Sequence, residues 1–579
     1  MNAILTLVLA AAAIGIGYGV YAKRIDRRII QPDNSKTTPA KMYMDGVDFT
    51  PANRNVLFGY QFKSIAALGP IVGPIVAVRY GWLPALLWIF LGTFFIGWVQ
   101  DYASIIVGVR EEGQTFGALS YRLISPRARG ILLIFIYCYL WLIMGAFGKI
   151  VGYDLMTNPA VPLGVLLVIL LGILAGQMTY KWKQDIILTT VVTVVGAFIG
   201  IWLGTLSGVQ NLFAGINTAL GDPGAKIFWS VVTLVICYFG AVLPIWRWAQ
   251  PINYVAFWIV FLGIAGGTIG LLIWHPSFPA DFPAFSNFNG QVGELPGLGP
   301  LWPVLFVTIA CGAISGWHSL VSSSGTARQL EKEGDALFVG GGAMFLEMFL
   351  ATLALLTAVV GVGAAEGMGW AKYVDLVSAG KNAGVFAVGL SQMLTYIGVP
   401  TSFGLPYGSV FLTLMALTIM YLVVRFMRVA SAEFLGDRVP VMRNVHVGSL
   451  VALILSGILI WTGFWQRIWV LFGGSNQLMA SLALLIITLW LVSKGKNYWW
   501  SFIPFIFMFV TTIAALGITG YKSFAAVDFS AGAAGAVGNI IAGVLAVVLI
   551  VCALILAYDG IRAIIRATRK EEAGAPAGK

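Results

Sequence analysis

The sequence predicts an all-α, polytopic membrane protein of about 15 transmembrane helices around a core of two inverted five-span halves. Three observations predict it. Of the 579 residues, 59% are hydrophobic and 10% charged, with a mean hydropathy of +0.89; a soluble domain carries roughly a quarter charged residues. Apolar runs long enough to cross a bilayer recur along the whole chain. One of these runs contains Gly69-Pro70-Ile71-Val72-Gly73-Pro74, two Gly-Pro pairs one helical turn apart. Proline removes a backbone donor and clashes with the preceding turn. Freed backbone groups are tolerated at membrane depth only where protein or a water-filled cavity receives them. Such a span marks a binding site in a secondary transporter.

The apolar runs fall at 2–22, 64–80, 83–108, 130–152, 161–178, 186–207, 227–245, 252–274, 301–322, 336–364, 403–424, 447–464, 468–492, 499–518 and 539–559. The first is followed by Lys23, Arg24, Arg27 and Arg28 rather than preceded by cations. That is the reverse of a signal peptide, so it reads as a retained span with its N-terminus outside. On this threading, 28 of the 35 Lys and Arg residues lie on the cytoplasmic side and 7 outside. The asymmetry follows the positive-inside rule and puts the C-terminus inside. It also accounts for the net charge of +11 without nucleic acid as a partner. The tail 571–579 is expected to be disordered.

The 64–80 span begins inside. Five spans later, 227–245 begins outside and carries Gly240-Ala241-Val242-Leu243-Pro244. Two interrupted spans of opposite direction point to an inverted repeat with halves at 64–207 and 227–430. Residues 1–63 then form an N-terminal span and cytoplasmic loop, and 431–570 additional C-terminal spans. Gly69, Pro70, Gly73, Pro74, Gly240 and Pro244 become the candidate substrate site. Exposed half-helix N-termini there would favour a carboxylate; packing kinks are the alternative.

Three further constellations carry chemistry. Thr308, Cys311, Ser315, Ser319 and Ser322 recur at steps of three and four, which places them on one helical face. Their hydroxyls suit Na⁺, a substrate, or helix–helix hydrogen bonds. His318 lies beside them and titrates in the physiological range when unperturbed. Asp101 and Glu347 are carboxylates deep in apolar spans, where an ionisable group is costly and a candidate for proton coupling. Asn476-Gln477 reads as interhelical glue. Cys138, Cys237, Cys311 and Cys552 are scattered in apolar runs and read as small buried hydrophobes, not disulfides or metal ligands. The chain holds no G-x-x-x-x-G-K-[ST], H-E-x-x-H or C-x-x-C motif. No ATP motor, cofactor or metal is expected beyond a coupling H⁺ or Na⁺.

Several motifs resemble a known family. Ala52-Asn53-Arg54-Asn55-Val56-Leu57-Phe58-Gly59, the Gly69–Pro74 run, Gly97-Trp98-Val99-Gln100-Asp101, Thr308 through His318, and Leu471-Phe472-Gly473-Gly474-Ser475-Asn476-Gln477 resemble, in order, the carbon starvation protein CstA family. The resemblance implies an inner-membrane, multi-pass carrier of small carboxylate nutrients, peptides or pyruvate, coupled to protons and used in carbon starvation. It also implies a LeuT-like inverted-repeat core. Ser315 and His318 join the substrate site on this reading, with Asp101, Thr308, Ser319, Ser322 and Glu347 on the coupling path. The family often reads D-A-G-T-R where this chain has Tyr421-Leu422-Val423-Val424-Arg425. Two other functional classes compete: a nutrient sensor that binds without transport, and an intramembrane enzyme. The enzyme lacks a base placed for its nucleophile, since neighbours on a helix such as His318 and Ser319 point apart.

Overall fold

The computed structural model describes residues 1–46, 48–365, 369–462, 465–530 and 533–574. Among them there is no strand; the three isolated bridges join loop residues. The principal helices are α1 (Ala3–Ile30), α2 (Arg54–Ile65), α3 (Gly69–Tyr80), α4 (Trp82–Arg110), α5 (Pro126–Leu155), α6 (Pro162–Lys181), α7 (Ile186–Gly204), α8 (Ser207–Val242) and α9 (Ala249–Trp274). They continue with α10 (Leu301–Thr308), α11 (Gly316–Val321, running on through Ser322–Thr326), α12 (Glu333–Val362), α13 (Asn382–Thr395), α14 (Thr401–Leu435), α15 (Val445–Thr462), α16 (Trp465–Ser493), α17 (Trp499–Ala525) and α18 (Ala533–Gly574). Among the described residues, 13 helices are long and apolar enough to cross a membrane by themselves. The bent pair α2–α3 makes a fourteenth. The tail expected from 571 is helical to Gly574, and 575–579 lie outside the described residues.

Two of the expected spans are discontinuous. The first starts ten residues earlier than its apolar run suggested. Asn53 caps α2, its side chain accepting from Asn55 N at 2.9 Å. The chain leaves the helix at Ala66–Leu68 and re-enters it bent by 44°. The break therefore precedes the Gly-Pro run instead of falling within it. Pro70 occupies the opening turn of α3, where its missing N–H costs nothing, and Pro74 is carried inside the helix. Lys63, counted above among the loop cations, is fully buried in α2.

The second discontinuous span is 301–326, not 227–245. Gly240 lies in the regular end of α8, which runs to Val242. Pro244 forces the preceding Leu243 out of the helical region (φ −79°, ψ 155°) and opens the turn to α9. The breakers there do the ordinary work of ending a helix. In 301–326 the helix stops at Thr308 and resumes at Gly316. The hydroxyl stripe thus does not lie on one helical face: Thr308 ends α10, Cys311 and Ser315 sit in the unwound segment, and Ser319 and Ser322 lie on α11.

The two broken spans run antiparallel. Tyr80, at the end of α3, donates its hydroxyl to Gly299 O just before α10 (2.9 Å). Gln61, in α2, donates to Ser322 Oγ of α11 (3.0 Å) and accepts from Thr326. They cross at their breaks, and glycine permits it. A Cβ on Gly73 would stand 2.7 Å from Thr308 O, and one on Gly69 2.4 Å from Cys311 Sγ. α4 and α12 complete the bundle around this crossing.

The loops divide into two groups, as the threading assigned them. On one face Lys41 pairs with Glu331 (3.3 Å), Arg110 with Glu333, Arg425 with Asp48 (3.5 Å) and Lys494 with Glu111 (3.5 Å). On the other, Arg79 donates to Pro296 O (2.7 Å), Trp370 N to Asp281 (2.9 Å) and Lys522 to Leu298 O (3.2 Å).

Because the atom facing Gly73 is a backbone carbonyl, a new methyl cannot be accommodated by a rotamer change. Gly73→Ala is expected to lower stability by about 1–3 kcal/mol, read as a fall in the thermal midpoint of the detergent-purified protein. Gly208→Ala, which faces open space in α8, is expected to leave that midpoint unchanged or raise it.

Candidate functional site

The unwound segment 309–315 exposes backbone carbonyls in the protein interior, and side chains from two helices collect them. Gln477 Nε2 of α16 donates to Phe306 O (2.8 Å) and Ile309 O (3.1 Å). Trp88 Nε1 of α4 reaches the same two oxygens (3.0 and 3.3 Å). Thr93 donates to Gly312 O (3.2 Å), and Gln100 to Ser315 O (2.8 Å). Asn476 Oδ1 accepts three bonds: from Tyr139 OH (2.6 Å), Ser315 Oγ (3.1 Å) and Trp317 N (3.1 Å). Asn476 and Gln477 therefore act as the interhelical glue that the sequence suggested.

The first break is tied in the same way. Leu68 O accepts from both Ile71 N (3.1 Å) and Val72 N (2.8 Å). Ser64 O accepts from Trp317 Nε1 (2.6 Å), and Ser64 Oγ from Asn253 Nδ2 of α9 (3.1 Å). Tyr421 OH donates to Asn253 Oδ1 (2.7 Å). The half-helix N-termini expected here are partly satisfied. Pro70 has no N–H, the next two amides are capped by Leu68, and Trp317 N is capped by Asn476.

At the centre lies His318, near the start of α11. Its Nδ1 is 2.9 Å from Asp101 Oδ2 of α4, and its Nε2 is 3.3 Å from Glu347 Oε2 of α12. All three side chains are 0% exposed. Neither Glu347 oxygen receives a hydrogen bond among the described residues. Three sequence candidates from three helices thus meet around one imidazole. Two carboxylates and one imidazole in an apolar interior are stable only at proton counts that keep the charge nearly balanced. Such a trio can hold a proton and pass it between carboxylates across the ring. Cys311 Sγ lies with His318 and Glu347 ligand atoms within 4.8 Å of one another. It is hydrogen-bonded to Ser315 Oγ (3.4 Å) and Asn476 Nδ2 (3.3 Å), so it is more than a small hydrophobe.

The hydroxyl candidates have protein partners. Thr308 Oγ1 donates to Val304 O (2.7 Å), Ser319 Oγ accepts from Gln100, and Ser322 Oγ from Gln61. Gly69 and Gly73 meet the second broken span, as described above. Gly240 packs instead against Tyr421 and Trp248 at the end of α8. Sequence reasoning missed Gln61, Lys63, Asn253 and Trp88. Gln61 and Lys63 were hidden because they make α2 too polar to register as a span; the Asn53 cap was the signal available.

An all-helical membrane chain whose buried polar groups converge on two crossing broken spans is built as a transporter. Comparison with known proteins agrees. The family description "Carbon starvation protein CstA" matches residues 2–375 and 370–515, and the chain belongs to that family. The peptide transporter CstA of Bacillus subtilis (strain 168) is 28% identical, with 97% of each chain covered. The pyruvate/proton symporter BtsT of Escherichia coli (strain K12) is 27% identical over 90% of this chain and 82% of its own length. Among solved structures, MhsT in complex with L-phenylalanine aligns over 88% of this chain and 99% of its own, with 11% identity and a TM-score of 0.46.

Asn476→Leu removes the acceptor of three buried donors. It is expected to cost about 2–4 kcal/mol, measured as a fall in the thermal midpoint followed by tryptophan fluorescence.

Proposed function

We propose that this protein is an alternating-access symporter of the bacterial or archaeal cytoplasmic membrane that imports small carboxylate nutrients, pyruvate or short peptides, together with protons. Its N-terminus lies outside and its C-terminus inside, and carbon starvation is the condition it serves. The observation that carries this reading is the Asp101–His318–Glu347 trio, buried where the two broken spans cross. The names of the relatives, a peptide transporter and a pyruvate/proton symporter, supply the substrate classes.

Protons are favoured over Na⁺ as the coupling ion. The hydroxyls of Thr308, Ser315, Ser319 and Ser322 are bonded to protein groups, which leaves the trio as the exchangeable element. On this reading the substrate binds beside the unwound segments 66–68 and 309–315, flanked by Gly69–Pro74. Every described residue of those segments is fully buried or nearly so, so a substrate reaches them only when helices rearrange. The inverted repeat begins at the two broken spans. One half runs from Arg54 to Gly204 and the other from Leu301 to Thr462, with α8 and α9 inserted between them.

The test is uptake of labelled pyruvate and of a labelled dipeptide into proteoliposomes under imposed pH or Na⁺ gradients. Accumulation driven by an inward proton gradient is expected, rising as the outer pH falls. Glu347→Gln and His318→Gln are expected to lose at least 10-fold of that accumulation, while Glu347→Gln retains exchange of labelled for unlabelled substrate without a gradient. Accumulation of neither substrate, or full proton-driven accumulation by both variants, overturns the reading.

A further inference from the structure

Lys63 is the one fully buried cation among the described side chains. The other buried cations, Arg79 and Arg425, retain 5% and 9% exposure and lie toward opposite faces. Arg79 is bonded to Pro296 O, and Arg425 to Leu243 O and to Asp48 at 3.5 Å. Lys63 sits in the last turn of α2, three residues before the chain unwinds at Ala66. Its ammonium has three hydrogens to donate. Among the described residues one acceptor is present, Thr418 Oγ1 of α14 at 2.6 Å, and that hydroxyl itself donates to Leu414 O (2.7 Å). Among the described residues no carboxylate stands within salt-bridge distance of it.

An uncompensated ammonium at membrane depth is costly and marks a functional position. The other positive features of the crossing are partly satisfied. The start of α3 is capped by Leu68 O, and the start of α11 by Asn476 Oδ1. A carboxylate that reaches the first break therefore finds a buried amine with donors to spare.

We propose that Lys63 receives the substrate carboxylate, with Thr418 holding the ammonium in place. This rests on the carboxylate-carrier reading above and names the group that makes it selective. The substrate carboxylate is met at Lys63, while the coupled proton is carried separately by the Asp101–His318–Glu347 trio.

The test compares acids with neutral analogues, a contrast that a purely structural lysine would not alter. Purified wild type is titrated with pyruvate and pyruvamide, and with Ala-Ala and its C-terminal amide, following the thermal midpoint. Counterflow of labelled pyruvate or Ala-Ala is measured in proteoliposomes. Wild type is expected to be stabilised by an acid and not by its amide. Lys63→Met is expected to lose at least 10-fold in half-saturation for the acid and to lose the discrimination; Lys63→Arg is expected to keep the discrimination. A Lys63→Met protein whose half-saturation stays within twofold of wild type overturns the proposal. So does a wild type stabilised equally by acid and amide, or by neither. Should Lys63→Met not fold, Thr418→Val decides: a several-fold weaker acid response with the amide response unchanged supports the proposal, and an unaltered acid response overturns it. Failure of the transport reading has a different signature. Wild-type vesicles then take up neither substrate, while the midpoint still separates acid from amide.

Discussion

Backbone that leaves the helix inside a membrane protein must find hydrogen-bond partners in the protein itself. That constraint organises the centre of this molecule. The unwound stretch between α10 and α11 presents carbonyls to its surroundings, and Gln477, Trp88, Thr93 and Gln100 are positioned to meet them. Asn476 meets the amide at the start of α11. These partners come from α4 and α16, so the C-terminal helices are part of the core's support. The first break depends on the second, because Trp317 of α11 donates to Ser64 O just ahead of it.

The glycines are the geometric side of the same constraint. Only a residue without a side chain lets α3 lie against the 308–311 backbone at Gly69 and Gly73. That close approach brings α4, α11 and α12 near enough for Asp101, His318 and Glu347 to share one site. On the proposed reading, a movement that separates the two broken spans to admit a substrate also changes what surrounds the trio, and this links proton occupancy to access.

Much of the architecture was legible in the sequence because membrane burial writes itself into composition. The helical class, most of the spans and the division of the loops between two faces follow from apolar run lengths and the placement of cations. Asp101, His318 and Glu347 stood out because charge at depth is expensive, and they prove to be neighbours. What was not legible has specific causes. The segment 309–315 contains no proline, and small residues such as Ala310, Gly312 and Ala313 fit a continuous helix as well as a broken one. Pro244 is a strong breaker but stands at a helix end, where it breaks nothing. Residues 54–63 of α2 were read as loop because Gln61 and Lys63 look like solvated residues until tertiary contacts with Thr326 and Thr418 bury them. Local pattern carries no information about those distant partners.

The central claim is that the buried trio binds a proton for each carboxylate carried. The most direct measurement is the proton-to-substrate ratio in lightly buffered proteoliposomes with a pH-sensitive dye trapped inside. Labelled pyruvate uptake is followed in parallel with the dye. The account predicts internal acidification in step with uptake, at about one proton per monocarboxylate. Uptake without acidification, or uptake that follows an imposed Na⁺ gradient at constant pH, would contradict it.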